Sequence, residues 1–277
     1  MRVLITGAGG QLGRALAAVY ADMDIVALAR ADLDITDDDA VTSVVRAISP
    51  ELILNTAACT AVDACEDNPE PAWQVNAAGA WAVARASAAH DVPIVHVSTD
   101  YVFDGSASRP YSEWDATGPR SVYGRTKLAG EHLVRATARR HFVVRTSWLH
   151  GTGSNFLSTM LRLGRTKDRV RVVADQRGSP TFADDLGAAI RALADTHRYG
   201  TYHVTNSGSC TWHDLAGAAF NEAGLDVKCE PIDTATFGAR APRPAYSVLD
   251  NRVARLAGIA PLPHWRDGLR RWLSLHA

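Results

Sequence analysis

The chain has 277 residues, of which 47% are hydrophobic and 21% are charged; these are ordinary globular proportions that exclude intrinsic disorder. Its 29 basic and 30 acidic residues nearly cancel, so composition argues against nucleic acid as a partner and favours a small-molecule ligand. The length allows one large domain, or a nucleotide-binding domain with a smaller companion, and either buries a sizeable core.

The first 150 residues alternate short β-branched runs with longer helical stretches, which predicts βαβ units and a mostly parallel sheet. The runs are almost entirely apolar, as expected of strands that are covered on both faces. We therefore expect an α/β fold, a doubly wound parallel Rossmann sheet with a smaller α/β substrate-binding lobe. Strands are predicted at 3–5, 25–28, 52–54, 94–97 and 142–144, and helices at 11–20, 38–47, 72–89 and 122–138.

A glycine-rich turn follows the first predicted strand and opens the first predicted helix. Gly7, Gly10 and Gly13 form a G-x-x-G-x-x-G pattern, whose missing Cβ atoms let backbone N–H groups approach a pyrophosphate at the positive end of the helix. Since the pattern lies between a strand and a helix, we predict a dinucleotide site. The alternative is a plain strand-to-helix turn that is rich in glycine.

The end of the second predicted strand bears on the choice of cofactor. An acidic residue at this point binds the adenosine ribose hydroxyls and favours NAD, whereas an arginine accommodates a 2′-phosphate. In this chain Arg30 comes first, and Asp32 and Asp34 follow slightly later. We therefore predict NADPH as the cofactor, with NADH tolerated. The alternative for Arg30 is an ordinary solvated surface arginine.

Three residues predict a site for proton transfer. Tyr123 and Lys127 are four residues apart on a predicted helix, so their side chains share one face, and the ammonium is expected to lower the phenol pKa from about 10. Thr99, just past the fourth predicted strand, offers a hydroxyl to the same carbonyl oxygen, where negative charge develops as hydride arrives. We predict a ketone reductase with Tyr123 as general acid and Lys127 also bound to the nicotinamide ribose. A Tyr-x-x-x-Lys pair alone also occurs by chance in many helices.

After Trp148 the sequence changes in character, with turn-forming segments at 151–155 and 175–181. We expect strands near 169–173 and 201–205 to return to the main sheet, which would complete a dinucleotide-binding core formed chiefly by residues 1–150. Residues 151–168 and 174–277 are expected to form the interleaved substrate-binding lobe, with a substrate cleft between lobe and sheet. Further helices are predicted near 184–194, 212–223 and 265–275.

The amino terminus and the cysteines indicate a cytoplasmic protein. The first glycines come too early for a signal peptide, and the alanine-rich run at 77–89 is interrupted by Arg85 and is too short to cross a bilayer. We expect no membrane association. The cysteines at 59, 65, 210 and 229 form no C-x-x-C pair and no zinc-like cluster, so we expect reduced, mostly buried thiols.

Longer motifs add to this interpretation. The Ser-Thr-Asp-Tyr-Val-Phe-Asp-Gly string at 98–105 is far more specific than the glycine turn, and further motifs lie at 10–13, 60–63, 75–77, 123–131, 145–148 and 175–181. Together they resemble the extended short-chain dehydrogenase/reductase superfamily, and within it the dTDP-4-dehydrorhamnose reductase family is especially similar. The resemblance covers nearly the whole chain.

The resemblance implies reduction of the C4 ketone of dTDP-4-dehydro-L-rhamnose to dTDP-L-rhamnose. It implies that Tyr123 is the proton donor, Lys127 its partner and Thr99 the carbonyl ligand, and it puts Asp100 and Trp148 in the sugar pocket. The cofactor contacts that it implies are Gln11, Leu12, Asp34, Ile35, Ala58, Cys59, Thr60 and Val97.

Two expectations go beyond the shared motifs. Arg243, in a Pro-rich passage, is our own candidate for binding the substrate diphosphate because of its charge, and a surface role is the alternative. Some members of the family are thought to dimerise through a magnesium ion held partly by a glutamate just after the glycine turn, where this chain has Arg14 and Ala15. We therefore expect a monomer or a homodimer without a metal bridge, and no metal requirement in catalysis.

Three other functions remain open at this point. One is a sibling reductase of another dTDP-4-keto-6-deoxy sugar, for example in dihydrostreptose formation. Another is a non-catalytic NADP-binding regulatory subunit, like the methionine adenosyltransferase partner that resembles this family; intact Thr99, Tyr123 and Lys127 argue for an enzyme instead. The third is an epimerase or dehydratase, but dehydratases usually carry acidic residues after the Thr, and here Asp100 is followed by Tyr101.

Overall fold

The computed structural model describes residues 1–276, which form one six-stranded sheet, three two-stranded sheets and helices around them. The strands are β1 Arg2–Thr6, β2 Asp24–Leu28, β3 Leu52–Asn55, β4 Ile94–Thr99, β5 His141–Thr146, β6 Leu149–His150, β7 Arg169–Val173, β8 Arg177–Gly178, β9 Thr181–Phe182, β10 Gly200–His203, β11 Cys210–Thr211 and β12 Lys228–Ile232. The helices are α1 Gln11–Val19, α2 Asp38–Ile48, α3 Val62–Asp67, α4 Glu70–Trp73, α5 Ala80–Ala89, α6 Val122–Thr137, α7 Phe156–Gly164, α8 Ala183–Asp195, α9 Trp212–Glu222, α10 Thr234–Phe237, α11 Arg252–Leu256 and α12 Trp265–His276.

The central sheet has the order β2-β1-β3-β4-β5-β10, and all of its neighbouring strands are parallel. Because β2 lies on one side of β1 and β3 on the other, the strand order reverses between β1 and β3. In open α/β sheets, ligands bind in the crevice at the carboxyl ends of the strands beside such a reversal. The predicted doubly wound α/β class is confirmed.

Both faces of this sheet are buried, which explains why its strands are apolar at nearly every position. On one face Leu16 of α1 and Leu186 of α8 pack against the strands. On the other face Val45 of α2, Val83 of α5 and Val134 of α6 do the same. The glycine turn and the start of α6 therefore lie at the same edge of a rigid core.

Two long runs were expected to return to this sheet, and they behave differently. Residues 200–203 do so, since β10 pairs with β5. The prediction for 169–173 is wrong, because β7 instead pairs with β12 in a separate parallel sheet. The reason is visible in β7, where Val170 and Val172 are buried while Arg169 and Arg171 are exposed. Such alternation suits a sheet with one wet face, whereas the central sheet is covered on both.

The remaining two-stranded sheets and α7, α9 and α12 pack together beside the sheet edge. Their core contains Leu157, Leu215, Leu269 and Trp272. The sequence predicted neither α7 nor β12. Asn155 and Ser158 form a capping box at the start of α7. Within the predicted helix at 72–89, the segment Gln74–Gly79 is a π-helix. None of the helices in the described part of the chain has the length and apolarity needed to cross a membrane.

Candidate active site

The glycine turn after β1 packs tightly at the point where the strand order of the sheet reverses. Gly7 has a φ of +72°, and a Cβ there would lie 2.5 Å from the backbone nitrogen of Ala57, so the turn after β1 touches the loop after β3. A Cβ at Gly13 would lie 2.5 Å from the Gly7 oxygen. Gly10 is the N-cap of α1, and no side chain within residues 1–276 caps it. The first N–H groups of α1 can therefore donate to an anion, as a dinucleotide pyrophosphate requires.

The side chain of Gln11 faces the second lobe. Its Oε1 accepts hydrogen bonds from the backbone N–H of Gly151 at 2.7 Å and from Nδ2 of Asn155 at 3.0 Å. Asn155 also caps α7, so these bonds tie the lobe to the start of α1. The Gln11 amide oxygen is therefore occupied, which leaves its side-chain NH₂ and its backbone N–H as donors for a cofactor.

The predicted residues for the adenosine end lie at the rim of the crevice. The Arg30 side chain is 84% exposed, and its guanidinium lies 3.7 Å from Asp34 Oδ2. Asp34 Oδ1 also accepts from the backbone and hydroxyl of Thr36, and these hydrogen bonds hold the pKa of Asp34 below its ordinary value. Ile35 is only 3% exposed. Arg30 is thus exposed and would meet a phosphate by leaving Asp34, whereas Ile35 packs in the core.

A buried asparagine organises the loop that follows β3. Asn76 accepts from the Cys59 backbone N–H at 2.8 Å and donates to the Cys59 carbonyl oxygen at 3.0 Å and to the Thr126 hydroxyl at 3.0 Å. It therefore joins the loop that carries Ala58, Cys59 and Thr60 to α6. The motif at 75–77 had no assigned role in the sequence, since only the fold brings Asn76 to these partners.

The start of α6 is pressed against the turn after β4. Ser121 caps the helix by accepting from the backbone N–H of Gly124 at 3.0 Å. A Cβ at Gly124 would clash with the carbonyl oxygen of Tyr101, so only glycine allows this approach. Consequently Tyr123, in the first helical turn, lies beside Thr99.

Lys127 has a different partner from the one expected. It is 2% exposed, and its ammonium donates to the backbone carbonyl of Val97 at 2.7 Å. Burial lowers the pKa of Lys127 to about 8, while Glu131 acts in the opposite direction. The Val97 backbone thus orients the ammonium at the cavity wall.

The expected lowering of the Tyr123 pKa by Lys127 is wrong in this structure. Burial raises the Tyr123 pKa above its ordinary value, and contact with the Thr99 hydroxyl only partly opposes this effect. The physical reason is that the Lys127 ammonium is turned toward Val97. The phenol therefore stays protonated at neutral pH, which is the state a proton donor needs.

The Thr99 hydroxyl and the Asp100 carboxyl form a pair, and both residues are buried, with 5% and 2% of their surface exposed. Thr99 Oγ1 lies 3.0 Å from Asp100 Oδ1 and accepts from the Tyr101 backbone N–H at 3.2 Å. Asp100 Oδ2 has no hydrogen-bond partner in the described part of the chain. Burial raises the pKa of Asp100 to about 6, although the hydrogen bond from Thr99 and the nearby Ser247 hydroxyl work against this rise.

Trp148 closes the opposite wall. Its φ of 46° is uncommon outside glycine, and such strain gathers at functional sites. Its indole stacks on that of Trp212 with ring centroids 3.5 Å apart and an interplanar angle of 5°. The neighbouring Ser147 hydroxyl donates to the Ser179 carbonyl at 2.6 Å, which joins the motifs at 145–148 and 175–181.

These parts surround one cavity of about 420 Å³. It holds twelve of the predicted site residues, namely Gly10, Gln11, Leu12, Gly13, Ala58, Thr60, Val97, Thr99, Asp100, Tyr123, Lys127 and Trp148. Six lie outside its lining, namely Gly7, Arg30, Asp34, Ile35, Cys59 and Arg243. A second cavity, of about 470 Å³, lies between α9 and the start of α12, away from these side chains. We assign the chemistry to the first cavity because it alone brings the glycine turn and the Tyr123 phenol together.

Arg243 lies outside the cavity and is already paired. Its guanidinium donates to Asp63 Oδ2 at 2.6 Å, and Tyr101 is a further neighbour. Its Nε has no partner among residues 1–276. Binding a substrate diphosphate would therefore compete with the Asp63 ion pair. Among the same residues, no group of three or more His, Cys, Asp or Glu side chains is arranged to hold a metal ion.

The cavity is also lined by side chains that the sequence did not identify as site residues, among them His150, Asn155, Phe156 and Trp212. They come from β6, from the start of α7 and from the start of α9. Their sequence neighbours gave only turn or helix-start signals, such as the capping box of Thr211 with Asp214 at the start of α9. Their convergence depends on the packing of α7 and α9.

The whole described chain resembles known proteins. A family model described as the RmlD substrate binding domain matches residues 1–276. A dTDP-4-dehydrorhamnose reductase from Mycobacterium tuberculosis is 44% identical over an alignment of 286 positions, which covers 100% of this chain and 93% of the relative. A probable dTDP-4,6-dihydroxy-2-methyloxan-3-one 4-ketoreductase from Streptomyces antibioticus is 43% identical, over 98% of this chain and 94% of that protein.

Solved structures agree with this. The crystal structure of a dTDP-4-dehydrorhamnose reductase from Bacillus anthracis, in complex with NADP, superimposes with a TM-score of 0.97 at 42% identity. The match covers 99% of both chains. The similarity therefore includes both lobes and the walls of the cavity.

Proposed function

The chain belongs to the dTDP-4-dehydrorhamnose reductase family, and we propose that it reduces the C4 ketone of dTDP-4-dehydro-L-rhamnose to dTDP-L-rhamnose with NADPH. The observation that carries this proposal is the single cavity that joins the glycine turn to Thr99, Tyr123 and Lys127. A dinucleotide along the turn would bring its nicotinamide toward these three side chains.

The residues present fit this cofactor. The turn at Gly7 and Gly13 is packed so closely against protein backbone that a Cβ at either would clash, and the start of α1 that it positions offers N–H donors. Arg30, at the end of β2, is exposed and can pair with a 2′-phosphate. NADPH supplies the hydride. NADH, which lacks that phosphate, should be accepted less well.

We assign proton delivery to Tyr123. Its phenol is neutral at working pH, and the Thr99 hydroxyl beside it supplies a second donor for the ketone oxygen. Lys127, held by the Val97 carbonyl, supplies positive charge at the same wall and is the candidate partner for the nicotinamide ribose. Asp100 and Trp148 bound the space proposed for the sugar.

A second candidate substrate is another dTDP-4-keto-6-deoxy sugar. The relative from Streptomyces antibioticus favours it, because its 43% identity nearly equals that of the Mycobacterium tuberculosis reductase, at 44%. Both substrates need the same hydride and proton transfers. The sugar pocket between Trp148 and Asp100 would then set the preference.

A substrate panel tests the proposal. Purified protein is mixed with NADPH and each of several dTDP-4-keto sugars, NADPH oxidation is followed by absorbance, and the product is identified by NMR. We expect dTDP-L-rhamnose from dTDP-4-dehydro-L-rhamnose at the highest kcat/KM. A higher value for another keto sugar would favour the second candidate, and no turnover with any sugar would favour a non-catalytic NADP-binding subunit.

The assembly, metal requirement and location of the protein remain proposals. We propose a monomer or a homodimer without a metal bridge, since the position after the glycine turn carries Arg14. We also propose a cytoplasmic location, because NADPH and dTDP-sugars are highly charged molecules that do not cross membranes unaided. Light scattering with and without EDTA, alongside the activity assay, checks the first of these.

A further inference from the structure

Resting on the proposed function, we propose that Asp100 acts as a neutral carboxylic acid, a positioning residue whose O–H turns the Thr99 hydroxyl toward the substrate ketone. The reasoning starts from the number of hydrogen bonds that one hydroxyl can form. A threonine hydroxyl donates one hydrogen and accepts through two lone pairs. Three protein groups already surround that of Thr99, namely the Tyr101 N–H, the Asp100 carboxyl and the Tyr123 phenol.

If Asp100 were ionised, the Thr99 hydrogen would be used within the protein. A carboxylate only accepts, so Thr99 would give its single hydrogen to Asp100 Oδ1 at 3.0 Å. One of its lone pairs would receive the Tyr101 N–H at 3.2 Å. The Thr99 hydroxyl would then have no hydrogen for a ketone oxygen, and the site would lose one of the two donors that the reaction needs.

If Asp100 is neutral, the direction of this hydrogen bond reverses. The carboxyl O–H and the Tyr101 N–H then fill both lone pairs of Thr99, which frees the Thr99 hydrogen. Thr99 then joins the Tyr123 phenol, which lies beside it, as a donor to the ketone oxygen. The protonation state of Asp100 thus decides the direction of the Thr99 hydrogen bond.

The surroundings of Asp100 make its carboxyl easier to protonate than that of an exposed aspartate. Its carboxyl is 2% exposed, its Oδ2 has no partner within residues 1–276, and no basic side chain there forms an ion pair with it. The nearest cations point elsewhere, since Lys127 donates to Val97 and Arg243 to Asp63. Burial raises the Asp100 pKa to about 6, and ligands that displace water from the cavity would raise it further.

The other groups that face this carboxyl are mainly neutral. They are the phenol of Tyr123 from α6, the phenol of Tyr101 from the turn itself, and the Ser247 hydroxyl from the carboxy-terminal loop. The Asp63 carboxylate lies behind Tyr101, where it is paired with Arg243. Ionisation of Asp100 is therefore the event expected to change the donors around Thr99 as pH rises through the shifted Asp100 pKa.

Substitution of Asp100 by two residues of similar size separates this role from others. An asparagine amide does not ionise and keeps its N–H donors at every pH, so Asp100→Asn should keep kcat within about tenfold of the wild type at its plateau. It should also lose the wild-type decline in kcat that follows Asp100 ionisation, measured from about pH 5 to about pH 9. Asp100→Leu has no donor, and kcat should fall about a hundredfold or more, with little change in KM.

Two results would overturn the inference. One is an Asp100→Asn enzyme as inactive as Asp100→Leu, which would mean that the carboxylate form is needed. The other is an unaltered pH profile in Asp100→Asn. If that variant does not fold, Thr99→Val decides instead, because a chain without the hydroxyl should show a low kcat without the Asp100 limb.

A measurement without turnover keeps this test separate from the proposed function. Carbon-13 NMR of labelled aspartate in the NADP-bound protein should show one carboxyl that titrates near or above pH 6 and is missing in Asp100→Asn. An Asp100 signal that titrates near the ordinary aspartate value of about 4 would contradict the inference whichever sugar is the substrate. Inactivity of the wild type on every sugar would instead count against the proposed function.

Discussion

The two ends of the cavity are built by different means. At the glycine-turn end, Gly7 and Gly13 shape the wall through close backbone contacts, and the start of α1 presents N–H groups. At the proton-transfer end, Thr99, Asp100 and Lys127 are buried polar side chains with few partners besides one another and the backbone. One end therefore depends on steric fit, and the other on hydrogen-bond direction and charge.

This difference teaches where pH can act. Backbone N–H groups do not titrate, so binding at the glycine turn should depend little on the protonation of the protein. Burial raises the pKa of Asp100 to about 6 and lowers that of Lys127 to about 8. At the end of the cavity that holds Thr99, Asp100 and Lys127, protonation therefore changes on both sides of neutral pH. Substitutions at the two ends should then fail in distinguishable ways.

The largest effect is expected for Tyr123→Phe. Removing the proton donor should lower kcat by about 10²–10⁴-fold, because general acid catalysis contributes about that much. Affinity for NADPH and the melting temperature should change little, since the glycine-turn end is untouched. Steady-state kinetics, fluorescence titration with NADPH and thermal unfolding measure the three quantities. Turnover near that of the wild type would remove Tyr123 from the mechanism.

Gly13→Val should instead impair stability and NADPH binding. A Cβ would meet the Gly7 oxygen at 2.5 Å, and such overpacking costs about 1–3 kcal/mol, so both the free energy of unfolding and NADPH affinity should fall at every pH. Urea unfolding and fluorescence titration measure them. Gly217→Ala, in α9, is the control, because no other part of the described chain lies within 4 Å of its added Cβ. The free energy of unfolding of this variant should rise by about 0.5–1 kcal/mol. Unchanged affinity in Gly13→Val would refute the steric account.

Lys127→Met sharpens the role of buried charge. The folded pKa of about 8 lies below the ordinary 10.5, so between these values the unfolded chain binds more protons and stability rises with pH. Below about 8 the buried ammonium costs stability, and Lys127→Met should add about 1–3 kcal/mol at pH 7 while kcat falls. Urea unfolding at pH 7 and pH 10 tests this against Lys167→Met, an exposed control. Lower stability of Lys127→Met at pH 7 would contradict it.

The smallest effect is expected at the rim. Arg30→Ala should lower kcat/KM for NADPH about tenfold and leave that for NADH nearly unchanged, since only the 2′-phosphate loses a partner. Because Arg30 is 84% exposed, added salt should shrink the difference. Arg46→Ala, at an exposed position in α2, is the matched control. An equal loss with both cofactors would mean that Arg30 supports the fold of the rim instead.

Local features of the sequence were enough to predict the central sheet and the glycine turn after β1. Continuous apolar runs predict strands that are covered on both faces, and all five predicted in the first 150 residues lie within β1 to β5. The four-residue spacing of Tyr123 and Lys127 puts them on one helical face because an α-helix repeats every 3.6 residues. Gly7 adopts the positive φ that glycine allows.

Partner choice could not be predicted from the sequence. The run at 169–173 pairs with β12, Lys127 with the Val97 carbonyl, and Trp148 with Trp212, each through contacts between distant segments. The direction of the Tyr123 pKa shift was wrong for the same reason. Burial and the orientation of Lys127 set it, and neither follows from spacing along a helix.

The amino-acid order alone determined the strands β1 to β5, where the backbone turns tightly, and which side chains share a helical face, because those properties depend on neighbours within a few residues. Tertiary packing decided which hydrogen bonds Thr99 and Lys127 form, which carboxyl is buried beside them, and which aromatic rings close the cavity. Those outcomes depend on the removal of water and on contacts across the whole chain.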